Sequence, residues 1–233
     1  MANYQFNPEL VAPAQQALVA QLLDCKNFEK SDRLLGSSTG RGITWFLNTD
    51  AELGVNSVRR HYYRGGLFGK LVKDRYFFVS LAKTRAAQEF ELLRQLHQWN
   101  LPVPRPIAFK IECSFGGYQA DILLEKIEQT QDLSQFLQKQ QLTAEQYQQI
   151  GALIRQLHDR QVHHSDLNIH NILLDQNGKF WLIDFDKCHI QQGDAWKSQN
   201  LARLRRSFHK EQKRLGILFS EADWAALEKG YQQ

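Results

Sequence analysis

Three oxygen-bearing side chains, Asp166, Asn171 and Asp184, fall within the stretch His164 to Asp186 at spacings that suit phosphoryl transfer. Ile172-Leu173-Leu174 and Phe180-Trp181-Leu182-Ile183 are apolar runs of strand length, and Gln176-Asn177-Gly178-Lys179 between them carries an Asn-Gly turn signal. A hairpin built from these runs returns Asp184 to the neighbourhood of Asn171. A Mg²⁺ ion takes hard oxygen ligands and keeps several positions for water and phosphate, so one carboxylate and one amide suffice from the protein. Asp166 is then left to orient and deprotonate an attacking hydroxyl. The plainer alternative is a surface hairpin with solvated polar residues at its ends, because Asp, Asn and His are common near turns.

The layout resembles the catalytic loop and metal-binding Asp of the kinases, and that resemblance implies roles upstream. Leu35 to Thr39 reads as a Gly/Ser-rich turn that leads through Gly40-Arg41-Gly42 into an apolar strand. In a kinase the equivalent hairpin drapes backbone N–H groups over the ATP phosphates, which makes Gly40 and Gly42 candidates for ATP contact. Glycines at 36, 40 and 42 do not form G-x-G-x-x-G, so an ordinary hairpin turn competes with this reading. Val58 to Gly66 looks like the third strand of a small sheet. Alternation puts Val58 and Arg60 on one face and Arg59 on the other, so Arg60 is the candidate for the phosphate-binding basic residue, where a kinase usually carries Lys. The competing reading leaves both arginines solvated.

Thr84 to Trp99 has helical periodicity, with Glu89, Leu93 and Leu96 on one face and Phe90 beside them. Glu89 stands where a kinase places the partner of its phosphate-binding residue, although Arg85, four residues earlier, offers a local surface pair. Leu101-Pro102-Val103-Pro104-Arg105-Pro106 ends the helix and forces an extended crossing. Strands follow at Pro106 to Ile111 and Ala120 to Ile127. The polar stretch Glu128 to Asp132 then reads as a hinge, where adenine would pair with backbone groups from Glu125 to Ile127. Leu133 to Gln140 and Thr143 to Arg160 read as helices, the second delivering the chain to Asp166. His164 is expected to hydrogen-bond the loop rather than carry a proton. The predicted fold is α+β, two-lobed and protein-kinase-like. Residues 1–127 would form a small antiparallel-sheet N-lobe with one long helix on the ATP side, and residues 128–233 a shortened helical C-lobe with the catalytic loop and metal site.

At 233 residues, 42% hydrophobic and 23% charged, the composition is that of an ordinary soluble chain. Cys25, Cys113 and Cys188 have neither pairing nor metal-site spacing, which points to a reducing compartment. No basic cluster opens the chain and no apolar run approaches the ~20 residues that span a bilayer, so a cytoplasmic location is expected. The net charge of +4 is small but unevenly placed. One basic cluster comprises Arg59, Arg60, Arg64, Lys70, Lys73 and Arg75, followed by Tyr76-Phe77-Phe78; the other runs from Arg203 through Arg205, Arg206 and Lys210 to Lys213 and Arg214. Such runs are either solvated faces or docking sites for an anionic membrane or an anionic acceptor. No nucleic-acid module is recognisable, so nucleic acid is not an expected partner.

Asp186 replaces the Gly of Asp-Phe-Gly, Asn168 stands where protein kinases usually carry Lys, and only 47 residues follow Asp186 without an Ala-Pro-Glu. These departures point to a small-molecule or glycolipid kinase. The catalytic block alone would fit heptose kinases, RIO kinases or aminoglycoside phosphotransferases. Arg60-His61-Tyr62-x-Arg64-Gly65-Gly66-Leu67, Leu101-Pro102-Val103-Pro104-x-Pro106 and Trp196-x-x-x-Asn200-Leu201-x-Arg203-Leu204-Arg205-Arg206-Ser207 narrow it. With these, the chain from about 40 to 210 resembles the 3-deoxy-D-manno-octulosonic acid (Kdo) kinases of Gram-negative lipopolysaccharide core synthesis.

That resemblance implies transfer of phosphate from ATP, with Mg²⁺, to the 4-hydroxyl of Kdo on a Kdo-lipid A precursor, at the cytoplasmic face of the inner membrane as a peripheral protein. Asp166 would be the base, Asn171 and Asp184 the Mg²⁺ ligands, and Arg60 with Glu89 the phosphate-positioning pair. Arg64, Arg203, Arg205 and Arg206 are further candidates for contact with the acceptor's carboxylate and phosphates. The competing readings are a kinase of another lipopolysaccharide sugar such as heptose, and a non-catalytic kinase-fold binding module.

Overall fold

The computed structural model describes residues 2–40, 42–64, 74–115 and 117–233. Arg41, Gly65, Gly66, Leu67, Lys70 and Lys73, singled out above, lie outside the described residues. The chain divides into two compact units, one of residues 1–94 and 104–127, the other of residues 95–103 and 128–233. The described elements are those of the predicted α+β class.

The first unit is built on a seven-stranded antiparallel sheet. Its elements are β1 (Ala2–Phe6), α1 (Gln16–Asp24), β2 (Leu34–Thr39), β3 (Ile43–Leu47), α2 (Asp50–Leu53), β4 (Ser57–His61), β5 (Tyr76–Phe77), most of α3 (Arg85–Gln98), β6 (Pro106–Ser114) and β7 (Gly117–Glu125). The strand order is β1-β6-β7-β4-β3-β2, with β5 paired to β7. Val19, Leu22 and Leu23 of α1 pack with Trp45, Leu47, Ile107 and Leu123 of the sheet to form its core. Each such fully buried side chain contributes about 2 kcal/mol relative to exposure. Gly36 to Thr39, read as a turn from its small residues, is instead the edge strand β2, paired with β3 from Gly36↔Phe46 to Thr39↔Ile43. The backbone ladder to β3 satisfies its polar groups and overrides the turn preference of Gly and Ser.

The second unit holds β8 (Thr130–Asp132), α4 (Leu133–Phe136), α5 (Ala144–Asp159), β9 (Val162–His163), β10 (Ile172–Asp175), β11 (Phe180–Leu182), β12 (His189–Ile190), α6 (Lys197–Leu215) and α7 (Glu221–Gln232). The supposed hinge at Glu128 to Asp132 contains β8, which pairs with β10, and α4 is shorter than the helix predicted to Gln140. α5 starts on a capping box, Thr143 with Gln146, and α7 on another, Ser220 with Asp223. Tyr147, Ile150, Ile154 and Leu157 of α5 are fully buried with Leu204 and Phe208 of α6 and Leu227 of α7. Where α5 crosses α7, a Cβ added at Gly151 or Gly230 would overlap the Leu227 or Gln148 carbonyl. Only glycine permits this approach, and it fixes the height of α7 on the helix that feeds the catalytic loop. No helix among the described residues is long and apolar enough to cross a membrane.

Candidate active site

In the second unit the hairpin of β10 and β11 forms as the sequence dictates, with Ile172 opposite Leu182 and Leu174 opposite Phe180. Asp175 organises its turn: one carboxylate oxygen accepts the N–H of Asn177 (2.8 Å) and Lys179 (3.0 Å), and the other accepts the indole N–H of Trp181 at 3.0 Å. Gly178 has φ +80°, the left-handed conformation that favours glycine. The hairpin places the Ile183 N–H 3.0 Å from the Asn171 carbonyl, so Asp184 follows directly on a residue bonded to Asn171.

Between α5 and β10 the loop is held by its own amides. Asn168 donates to the Asp166 carbonyl (2.9 Å) and accepts the His170 N–H (2.8 Å), and Asn171 Nδ2 donates to the same Asp166 carbonyl at 2.9 Å. That bond uses Asn171 Nδ2 and not Oδ1. Asp184 has φ +61°, an uncommon conformation for a residue with a Cβ. Such backbone strain clusters at functional sites. Asn171 Oδ1 and the Asp184 carboxylate are hard oxygen donors, and no group of three His, Cys, Asp or Glu able to hold a metal occurs among the described residues. This donor set fits an ion such as Mg²⁺, which asks little of the protein, and does not suit zinc.

His164 is fully buried and its Nε2 donates to the Ile183 carbonyl at 3.0 Å, while its ring packs on Phe185. Burial pushes its pKa below the ordinary histidine value. A neutral ring with one committed N–H joins the loop to the strand leading to Asp184, as expected of a structural residue. The Asp166 carboxylate, in contrast, is substantially exposed and is met by the guanidinium of Arg203 from α6.

In the first unit, alternation along β4 separates the two arginines as predicted, and both are ion-paired. Arg59 is buried and ion-paired to Asp121 at 2.7 Å, so it adds nothing to a basic surface. A charge on the inner face of a strand has to be paired, which cluster counting ignores. Arg60 Nη2 lies 2.6 Å from both carboxylate oxygens of Glu89, and the Tyr62 hydroxyl donates to Glu89 at 2.6 Å. Glu89 is buried on α3 with Phe90, Leu93 and Leu96, so it is not the exposed half of a surface pair.

Gly40 and Gly42 close the β2–β3 hairpin with a bond from the Gly40 N–H to the Gly42 carbonyl (2.9 Å). A Cβ at Gly42 would overlap the Tyr63 ring, whereas one at Gly40 would meet open space. The Glu125 carboxylate grips Arg105 through Nε (2.9 Å) and Nη2 (3.0 Å). The N–H groups of Glu125 and Lys126 donate to the carbonyls of Arg105 and Asn56, and Ile127 ends the unit. Arg64 is stacked 5.1 Å from the Tyr76 ring. On α6, Arg205 pairs with Glu221 at 2.5 Å and Arg206 is exposed.

Several residues given no role by sequence reasoning prove to hold the site: Tyr62 on Glu89, and Asn200 and Ser207 on the catalytic loop. Asn200, Arg203 and Ser207 share one helical face, a pattern present in the sequence but masked when the run is read by charge alone.

The family model for "Lipopolysaccharide kinase (Kdo/WaaP) family" matches residues 26–231. A 3-deoxy-D-manno-octulosonic acid kinase from Actinobacillus succinogenes is 56% identical over 209 residues, covering 88% of this chain and 87% of its own. The protein of that name from Haemophilus influenzae is 56% identical over 211 residues, covering 88% of each chain. The one from Vibrio vulnificus is 48% identical over 211 residues, covering 91% of this chain and 88% of its own. Among solved structures, the Cydia pomonella granulovirus kinase PK-1 matches with a TM-score of 0.49 at 14% identity, over 93% of this chain and 70% of that one.

Proposed function

The chain belongs to the lipopolysaccharide kinase (Kdo/WaaP) family and is a phosphotransferase, and from that premise we propose that it phosphorylates a Kdo hydroxyl, the 4-hydroxyl, on a Kdo-lipid A precursor with ATP. The single observation that carries the acceptor is the identity of 56% over most of the chain to proteins named for that sugar. The described geometry supports the chemistry.

In this reading the exposed Asp166 carboxylate takes the proton of the acceptor hydroxyl as its oxygen bonds to the γ-phosphorus and the bond from that phosphorus to ADP breaks. Asn171 and Asp184 would hold Mg²⁺, which would supply neutralisation of charge developing on the phosphates. Arg60, fixed in place by Glu89 and Tyr62, contacts the ATP phosphates. Gly40 and Gly42 bring the β2–β3 backbone to the phosphates, and Glu125 and Ile127 meet the adenine through their backbone. Residues 1–127 thus act as the nucleotide lobe and residues 128–233 as the catalytic lobe. Arg64, Arg203, Arg205 and Arg206 are the acceptor's anion contacts. The basic run of α6 supports a peripheral position on the anionic cytoplasmic face of the inner membrane.

The test is a panel of acceptors with γ-labelled ATP: Kdo-lipid A precursors, the same lipids carrying heptose, and free Kdo. Labelling of the Kdo-lipid, with ³¹P NMR placing phosphate on the 4-oxygen, is the expected result. Labelling confined to heptose-bearing lipid would move the acceptor. Pelleting of the chain with anionic but not neutral vesicles checks the location.

A further inference from the structure

α6 turns three polar side chains toward the catalytic loop, and each meets a different atom of it. Asn200 Nδ2 donates to the His164 carbonyl at 2.8 Å, the Arg203 guanidinium meets the Asp166 carboxylate, and Ser207 Oγ accepts the Ile169 N–H at 3.0 Å. Positions 200, 203 and 207 are spaced three and four residues apart, so they form one stripe on the helix. The Ser207 hydroxyl proton is committed to the Leu204 carbonyl at 2.7 Å, which leaves its lone pairs for Ile169.

The stripe is itself oriented from behind. His158 is fully buried, and its burial holds it neutral, with a pKa lowered to about 4. A neutral ring has one N–H. Asn200 Oδ1, 3.1 Å from His158 Nε2, can only accept, so that nitrogen carries the proton. His158 Nδ1 then accepts from the Tyr231 hydroxyl at 2.8 Å. The directed chain runs from Tyr231 through His158 and Asn200 to the His164 carbonyl, and it fixes which end of the Asn200 amide faces the loop.

Within the loop, Asn168 and Asn171 both bind Asp166 by its backbone carbonyl. Neither restrains the carboxylate. The cation that does so comes from α6, and it reaches Oδ1. We propose that the Asn200–Arg203–Ser207 stripe is the positioning device of the base, with Arg203 as the positioning residue that pins Oδ1 of Asp166 and leaves Oδ2 to take the acceptor's proton. The inference rests on Asp166 being the base, and it moves Arg203 from acceptor binding to orientation of that base. Pre-orienting a reacting group removes rotational freedom before the reaction and acts on kcat. An exposed ion pair contributes little to folding, so a catalytic effect and a structural one are separable at Arg203.

The test is a cycle of full-length variants: wild type, Arg203→Met, Asp166→Asn and the double variant, with Arg203→Lys beside them. Steady-state transfer from ATP to Kdo-lipid A precursor is measured, together with the unfolding midpoint. Arg203→Met is expected to lower kcat about 10- to 100-fold with both KM values within about twofold and the midpoint unchanged. Arg203→Lys should recover part of that loss. In the Asp166→Asn background the same change should cost no more than about twofold, because its effect passes through Asp166. A raised acceptor KM with kcat preserved would overturn the proposal in favour of acceptor binding, as would equal losses in both backgrounds. If wild type fails to label the Kdo-lipid, the acceptor reading fails instead; the same cycle run on ATP hydrolysis to water, which uses the same base, still decides the role of Arg203.

Discussion

Nη2 of Arg60 on β4 stands 2.6 Å from each carboxylate oxygen of Glu89 on α3, and only the Glu89 end of this pair is buried. The arginine keeps a side-chain exposure of 22%, enough to present charge outward, whereas Glu89 at 1% is buried and bonded by it and by Tyr62. Removing the cation leaves a buried carboxylate short of a partner, a loss on the order of 3–5 kcal/mol for a buried pair and smaller here because Tyr62 remains. Arg60→Met should therefore lower the denaturation midpoint and raise the ATP KM, while Glu89→Gln should affect stability less than Arg60→Met does. Urea titration and ATP saturation curves of the two variants check this, and equal stabilities would contradict it.

The two hairpin glycines are predicted to differ. Gly42 lies against Tyr63 with no room for a Cβ, while Gly40 opens onto free space. Gly42→Ala should displace the Tyr63 ring or the hairpin and raise the ATP KM by about tenfold, corresponding to a little over 1 kcal/mol of binding. Gly40→Ala should change it by no more than about twofold, a few tenths of a kcal/mol. A larger effect at Gly40 would mean that its backbone approaches the phosphates too closely for any side chain.

His158 gives a signed pH dependence. Burial lowers its pKa from 6.5 to about 4 in the native chain. Above pH 6.5 both native and unfolded rings are neutral and the full stability is present. As pH falls from 6.5 toward 4 the unfolded chain binds a proton that the native chain refuses, so stability drops, by as much as about 3 kcal/mol, and levels off below the native value. His164 shifts in the same direction. The wild-type loss over this window should exceed that of His158→Gln, in which this proton uptake is abolished. Parallel pH profiles would show that the ring does not titrate as described.

Elements with a local cause were legible in the sequence. The Asn-Gly turn and the flanking apolar runs specify the hairpin that brings Asp184 beside Asn171, and alternation on β4 separates Arg59 from Arg60. Glu89 could be placed inward because the apolar face of α3 runs through it. What escaped were partnerships set by packing. Arg59 reads as surface charge in the sequence because nothing near it announces Asp121, sixty-two residues away and on the neighbouring strand β7 only once the sheet has formed. β2 was read as a turn because Gly and Ser dominate its sequence, whereas its pairing with β3 decides. The α6 run was read as a charge cluster because its face toward the loop exists only once α5 and α7 have set the helix in place.

The central claim is that Asp166 is the base of phosphoryl transfer to a Kdo-bearing lipid. Transfer of label from γ-labelled ATP to Kdo-lipid A precursor, comparing wild type with Asp166→Ala at matched folded concentration, tests it most directly. Labelled lipid with wild type and a loss of at least ~100-fold in the variant is the predicted result. Undiminished labelling by Asp166→Ala would contradict the assignment of the base, and ATP hydrolysis without labelled lipid in wild type would contradict the acceptor.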